Sequence, residues 1–350
     1  MTLASLIRDE IARDVFMRID RYMSLCLMHP QFGYYTRRDP FGKTGDFVTA
    51  PEVSQMFGEM IGLWLAQVWQ DQGAPSATLL ELGPGRGTLM ADVLRVCGKI
   101  PGFRERVSVR LIEQSPHLAA LQKSALAWPR IDWRPTIADL PDEPIYLIAN
   151  EFFDALPIRQ AERIDDIWLE RVIRFTDSQL RPGHAPLDVS VARRLPKIAR
   201  DGEVAEWSEA SQRIAATLGG HIAAHGGAGL IVDYGNNGGS GDTLQAVKDH
   251  EYCSTLNDPG SADLSAHVDF AAIADAAVPA KAPPLLEQGR FLAALGIGAR
   301  AGQLAREADA NKIADALDRL TSDQEMGSLF KVLGLRHPDS PPLPVLEPSC

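Results

Sequence analysis

The segment ATLLELGPGRGTLMADVLRVC, residues 77–97, constrains this chain more than any other. A short apolar run ends in Gly83, Gly85 and Gly87, and an apolar-striped helical pattern follows at once. Strand, tight turn and helix in that order open a parallel sheet, whose strands need a crossover to return to the same edge. Glycine permits positive φ and lets a ligand approach the backbone more closely than a Cβ would allow. The helix starting near Thr88 points its unpaired N–H groups and the positive end of its dipole at the same place.

The unit recurs. VSVRLIEQSP is a second apolar run ending in an acid, followed by the helical HLAALQKSALA. PIYLIANEFFDALP is a third with an acidic exit, and GLIVDYGNNGG a fourth that runs into Asp and glycines. Apolar runs of this kind predict an α/β fold with a doubly wound, mostly parallel sheet. About 70 residues lie between the third and fourth runs, more than a crossover needs. Within them IRQAERIDDIWLERVIRFTD predicts antiparallel strands turning at Asp165-Asp166, and WSEASQRIAATLGGHIAAHG predicts the crossover helix.

The first 28 residues read as one amphipathic helix, with Leu3, Leu6, Ile7, Ile11, Val15, Ile19 and Tyr22 at three- and four-residue steps. A Gly-, Pro- and aromatic-rich loop follows, then a helix from Ser54 to Gln72. After residue 241, VDFAAIADAAV reads as a helix, APPLLEQG as a strand, AGQLAREADANKIADALDRL as one long helix and SLFKVLGLRH as a final strand. The Pro-rich end from Pro338 reads as unstructured. The expected division is a helical region with a lid loop over 1–75, a core over 76–337 with an insertion at about 158–205, and a tail over 338–350.

Composition excludes several classes. Lys+Arg 35 against Asp+Glu 46 leaves a net charge of −11, which disfavours a surface that grips nucleic acid or anionic lipid. The four cysteines form no C-x-x-C pair and read as reduced thiols. The eight histidines show no metal spacing such as H-E-x-x-H, so no metal is expected. No apolar stretch approaches the roughly 18 residues of a membrane span. The opening MTLASLIRDEIARDVFMRIDRYM mixes acids with bases, unlike a secretory or transit peptide.

The glycine turn selects its ligand. A dinucleotide site asks for G-x-G-x-x-G, but here Thr88 fills the third slot and Gly87 comes one place early. Glu81, two residues before the first glycine, suits a ligand with a cationic amino group. S-adenosylmethionine carries an ammonium and a carboxylate on its methionine end, which match Glu81 and the helix N–H groups. Glu113, ending the second run, can accept both ribose hydroxyls. Pro84, Gln114 and Asp139 are placed with them on the cofactor side, and Gly45 and Asp46 on a lid hinged at Gly42 and Gly45. A plain structural loop is the alternative for that lid.

Asn150, Glu151, Phe152, Phe153 and Asp154 leave the third run at the same edge, where open α/β sheets bind ligands. Two acids there can hold a cationic methyl acceptor; the bland alternative has Asp154 capping a helix and Glu151 in solvent. One of the two phenylalanines is expected in the core. Asp263, Ser265, His267 and Asp269 form a further polar cluster, with Ser265 a candidate N-cap and His267 a candidate base or a structural group.

GDFVTAPEVSQMFGEMIG (Gly45 to Gly62), LLELGPGRGTLMADVLR, ANEFFDALP, DLSAHVDF and QGRFLAALGI together resemble the MidA-type family, with matches from about residue 20 to residue 337. These are class I S-adenosylmethionine-dependent methyltransferases related to a mitochondrial complex I assembly factor. The resemblance implies a Rossmann-like, seven-stranded sheet with an added helical amino-terminal region. It implies protein-arginine methyltransferase activity, giving symmetric dimethylarginine on an iron–sulfur subunit of the respiratory NADH dehydrogenase. Gly83, Gly85 and Gly87 match the family's cofactor turn, and Glu113 its ribose-binding acid. Glu151 falls where arginine methyltransferases of another family place a guanidinium-holding glutamate. A bacterial, cytoplasmic member is expected, with the mitochondrial matrix as the eukaryotic alternative. The competing functions are a cofactor-binding assembly chaperone without turnover, a methyltransferase with a different acceptor and, disfavoured by Thr88 and the early third glycine, a nicotinamide dehydrogenase.

Overall fold

Seven strands carry the centre of the computed structural model, which describes residues 2–37, 48–197, 199–238 and 241–348. We number them β1 (Ala77–Leu82), β2 (Val107–Ile112), β3 (Ile131–Arg134), β4 (Ile145–Asn150), β5 (Gly227–Asn236), β6 (Leu286–Glu287) and β7 (Phe330–Arg336). Their order across the sheet is β3-β2-β1-β4-β5-β7-β6, and Val268–Asp269 adds a short parallel strand beside the end of β5. Strands β1 to β5 run parallel, while β7 runs antiparallel to both β5 and β6. Every residue of β1 is buried, as expected for a strand covered on both faces.

Register decides where the chemistry sits. Glu81 pairs with Leu111 on β2 and Ile148 on β4, and Val232 on β5 pairs with Asn150. The exits of β1, β2, β4 and β5 therefore lie side by side on one edge. One apolar layer, including Trp64, Trp69, Val93 and Phe291, covers one face of the sheet. Leu218, Ile222, Phe270 and Ile273 cover the other.

Several elements differ from the reading of the sequence. The first 28 residues form two helices, Leu3–Asp14 and Ile19–Met28, separated where Val15 turns left-handed at φ 71°. Their apolar spacing runs through the break because both helices bury residues in one satellite core. Met17–Arg18 between them pairs with Ile173 and Val172, joining the amino-terminal region to the insertion. The stretch read as one long helix is Ile297–Leu304 and Ala310–Thr321, with the Asp309 carboxylate accepting from the Asn311 N–H at 3.1 Å. The strand expected in APPLLEQG shrinks to β6, because Gln288 already begins a helix. β3 and a three-stranded sheet, Gln245–Lys248, Glu251–Cys253 and Asp263–Ser265, had no signal.

The insertion is a hairpin-based sheet. Asp165 and Asp166 both have positive φ, 47° and 63°, the backbone that a two-residue hairpin turn of matching twist requires. Arg159 anchors it, reaching Glu170 at 2.8 and 2.9 Å and Glu209 at 2.9 Å. No helix among the described residues is long and apolar enough to cross a membrane.

The carboxyl-terminal segment has no regular structure, yet it is packed. Leu343 and Leu346 are buried in the main core, the Trp64 indole donates to the Pro344 carbonyl at 2.9 Å, and Arg336 forks onto Glu347 at 2.8 and 3.0 Å. The expectation of a loose end is thus corrected: proline prevented helix and strand but not docking. Leu343→Ala should destabilise the protein by about 2–5 kcal/mol in urea unfolding, as for other core leucines. A change near zero would mean that the segment contributes nothing to the core.

Candidate functional site

A cavity of about 1010 Å³ opens where the exits of β1, β2, β4 and β5 meet. At its β1 end, Gly83, Gly85 and Gly87 take φ of 60°, 53° and 85°. A Cβ on Gly83 would stand 2.9 Å from Cδ2 of Phe152, so both conformation and space demand glycine there. Gly87 caps the helix Thr88–Cys97 without a side chain, leaving its first N–H groups facing the cavity. Thr88 donates its hydroxyl to Glu52 at 2.6 Å. Gln122 ties two corners together, donating to the Gly85 carbonyl at 2.7 Å and to Glu113 at 3.0 Å. The Ser115 N–H holds the other Glu113 oxygen at 2.7 Å.

Glu81 is buried, and its Oε2 has no hydrogen-bond partner. Burial, with the nearby Glu113 carboxylate, pushes its carboxyl up to about 8. Glu113 is raised by burial as well. A buried acceptor without a donor is costly unless a ligand supplies one. An ammonium group delivered beside the glycine turn does so, and the residues present fit the methionine end of S-adenosylmethionine.

Pro84 and Gln114 line this end of the cavity. Asp139 does not: it is exposed, its carbonyl accepts from Arg110, and Pro135, Thr136 and Ile137 form the wall in its stead. Residues 135–137, directly after β3, border the cavity, and Asp139 falls beyond it. Gly45 and Asp46, with Gly42, Lys43 and Phe47, lie outside the described residues.

The β4 exit forms the other end. Glu151 is held left-handed at φ 48°, a conformation that costs about 1–3 kcal/mol and needs surrounding restraint. Its Oε1 accepts from the Ala50 N–H at 3.0 Å and from the Asn150 side chain at 3.1 Å. Burial, with the Asp154 carboxylate behind it, pushes Glu151 up to about 7. Asp154 accepts from the Tyr234 hydroxyl at 2.7 Å, and burial raises it to about 6. Asp154 Oδ1 and Asn150 Oδ1 are buried without partners. Asp154 caps no helix and Glu151 is not in bulk solvent, so the bland alternative for these acids does not hold. Phe153 enters the core while Phe152 faces the cavity, their rings perpendicular at 5.4 Å.

His267 stands on the cavity wall with its ring edge-on to Tyr234 at 5.6 Å. Asp263 accepts from the Tyr35 hydroxyl at 2.9 Å. Ser265 is a strand residue; the N-cap of the following helix is Asp269, which accepts from the Ala272 N–H at 3.0 Å. Among the described residues, no group of three or more His, Cys, Asp or Glu side chains is arranged to hold a metal ion.

Two residues at this end had not been singled out, Asp233 and Tyr234. The only signal was that GLIVDYG, like the other runs, ends in an acid.

Residues 60–283 match the family described as "Putative S-adenosyl-L-methionine-dependent methyltransferase". The chain belongs to this family. The protein arginine methyltransferase NDUFAF7 homolog, mitochondrial, of Drosophila melanogaster is 34% identical over 375 aligned positions, spanning 95% of this chain and 84% of the relative. The human protein arginine methyltransferase NDUFAF7, mitochondrial, is 32% identical, spanning 91% and 79%. A crystal structure from Burkholderia thailandensis, bound to S-adenosyl-homocysteine, superposes with a TM-score of 0.85 at 28% identity, covering 99% of this chain and 93% of that one. The chain is a class I S-adenosylmethionine-dependent methyltransferase, and S-adenosylmethionine is its cofactor.

Gly83→Val should weaken S-adenosyl-homocysteine binding at least tenfold in titration calorimetry, through collision with Phe152 and strain at positive φ. Glu81→Gln should cost roughly ten- to a hundredfold, as expected for a lost charge-assisted hydrogen bond. Wild-type affinity in both variants would remove the glycine corner from the binding site.

Proposed function

We propose that this chain transfers methyl groups to the guanidinium of an arginine side chain in a partner protein. The observation that carries the reading is the pair of buried, partnerless oxygens, Asp154 Oδ1 and Asn150 Oδ1, beside the Glu151 carboxylate. Three acceptors around one cavity end call for a ligand rich in donors and positively charged. Guanidinium offers five N–H donors in a rigid plane that carboxylates grip in a fork. The relatives named as protein arginine methyltransferases support the same acceptor.

When bound, the cofactor supplies an electrophilic methyl group on a sulfonium. The residues around it bind and orient. Glu81 would accept from the ammonium, the N–H groups after Gly87 would meet the carboxylate, and Glu113 would take the ribose hydroxyls. Glu151 and Asp154 would hold the guanidinium with one nitrogen turned toward the cofactor side of the cavity, so that their contribution is orientation. The arginine keeps its proton until the C–N bond forms. Asp154, with one oxygen free of donors, then accepts it. Phe152 and Phe330 on the wall limit water around the reacting atoms. His267 borders the acceptor through Tyr234.

The finer reading follows the resemblance to the MidA-type family: symmetric dimethylation of an iron–sulfur subunit of respiratory complex I. In a bacterial cell the protein would work in the cytoplasm.

Transfer of labelled methyl from S-adenosylmethionine into arginine of candidate subunits tests the proposal. Glu151→Gln and Asp154→Asn should each lower turnover by about a hundredfold or more while S-adenosyl-homocysteine affinity stays within about threefold. A chaperone without turnover would instead keep client binding and assembly in both variants, with no label transferred.

The pH dependence has a definite sign. Glu151 and Asp154 grip a cation only when ionised, and their raised values lie at about 7 and about 6. Acceptor turnover should rise with pH through that range and level off above it. A profile flat between pH 5 and 8 (roughly spanning both values) would separate these acids from acceptor binding.

A further inference from the structure

Asp233 ends the unbroken buried run of β5, Gly227 to Asp233, and is completely shielded from solvent. It does not line the cavity. Its Oδ2 accepts the N–H groups of Phe152, Phe153 and Asp154 at 3.2, 3.0 and 3.2 Å, and its Oδ1 that of Tyr234 at 3.0 Å. The first three belong to the loop that carries Glu151 and Asp154. The fourth belongs to the residue whose hydroxyl holds Asp154. One carboxylate thus gathers the backbone of the whole acceptor end from behind.

We propose that Asp233 is a positioning residue for methyl transfer, fixing the Glu151–Asp154 loop and Tyr234 in the geometry that presents their side chains to the acceptor. This rests on the reading of those side chains as the acceptor site.

Chemistry explains why the residue is an acid. Four backbone donors converge on two oxygens, and only a carboxylate accepts on both ends. An asparagine would turn its own NH₂ toward at least one backbone N–H, donor against donor, at a position shielded from bulk solvent. The loop also needs the anchor. Glu151 sits left-handed, and the Glu151–Asp154 stretch contains neither helix nor strand, so these N–H groups have no partners from regular structure. The cost of the arrangement is electrostatic, since Asp233 is buried among like charges. Burial, then Asp154 and Glu151, hold its carboxyl well above the usual range.

The charged or titratable groups around Asp233 are few. Glu151 and Asp154 lie on the loop, Tyr234 follows in the strand, and His267 packs against that tyrosine. Lys331 is paired opposite on β7 but turns its ammonium toward Glu287 at 3.7 Å, and Arg319 acts on Glu151 from the cavity rim.

Asp233→Asn and Asp233→Glu in the full chain test the proposal. Both should leave S-adenosyl-homocysteine affinity within about threefold, since the β1 and β2 corners are untouched. Both should lower kcat by about a hundredfold, the scale of a misplacement near 1 Å, with a smaller change in acceptor KM. The split between a large loss of kcat and a small change in acceptor KM is what a purely structural defect would not give. Hydrogen exchange at the amides of 152–154 and 234 should quicken in Asp233→Asn. Wild-type kcat in Asp233→Asn, or wild-type protection of those amides, overturns the proposal. So does an equal loss of cofactor affinity and kcat in both variants, the mark of general misfolding. If the wild type methylates an acceptor other than arginine and the variants still lose kcat, Asp233 keeps its role and the arginine reading falls.

Discussion

Parallel strands bury their middles and leave only their carboxyl ends free to meet a ligand, and in this protein those ends are acidic. Glu81, Glu113, Glu151 and Asp233 arrive side by side because the strands are in register, not because they are near in sequence. In a low-dielectric edge, four carboxylates repel one another and miss their water. The fold answers with backbone N–H groups: those of Ser115, Ala50, Phe152, Phe153, Asp154 and Tyr234 each reach one of these acids. What is left over, an oxygen on Glu81 and further oxygens on Asn150 and Asp154, is acceptor capacity facing a cavity. The proposed methyl transfer to a cationic acceptor uses that surplus of acceptors.

The rest of the molecule builds walls around this edge. The helix Ile19–Met28 contributes Leu27 and Met28 to the cavity, and the small sheet near residue 250 contributes Val247 and Asp263. They are held together by contacts that cross the chain, such as the Tyr22 hydroxyl on the Thr255 carbonyl at 2.7 Å. The pairing of Met17–Arg18 with Val172 and Ile173 ties the amino-terminal region to the insertion. The insertion thus supports a wall of the site as well as decorating the core.

Much of this was legible in the chain. The glycines at 83, 85 and 87 and the acid at 81 announced both the turn and the charge of its ligand, because φ and Cβ crowding act locally. The apolar runs announced a parallel sheet, because burial on both faces leaves no alternation to misread. Less came through where the signal was tertiary. Asp233 reads as one more polar exit until its oxygens are seen to collect N–H groups from a loop some eighty positions away. The break at Val15 was masked because both helices share one core, and the tail looked loose because proline suppresses secondary structure without preventing burial. β3, four residues long and only partly buried, lacked the apolar density that marks its neighbours.

Sequence alone thus determined the layers, the glycine corner and the acids that flank it, all consequences of local backbone freedom and of apolar periodicity. Tertiary structure decided which acids share a cavity, which oxygens stay without donors, and that Asp139 falls outside. Those outcomes depend on strand register and loop length, which bring together groups whose separation along the chain carries no information about their distance in space.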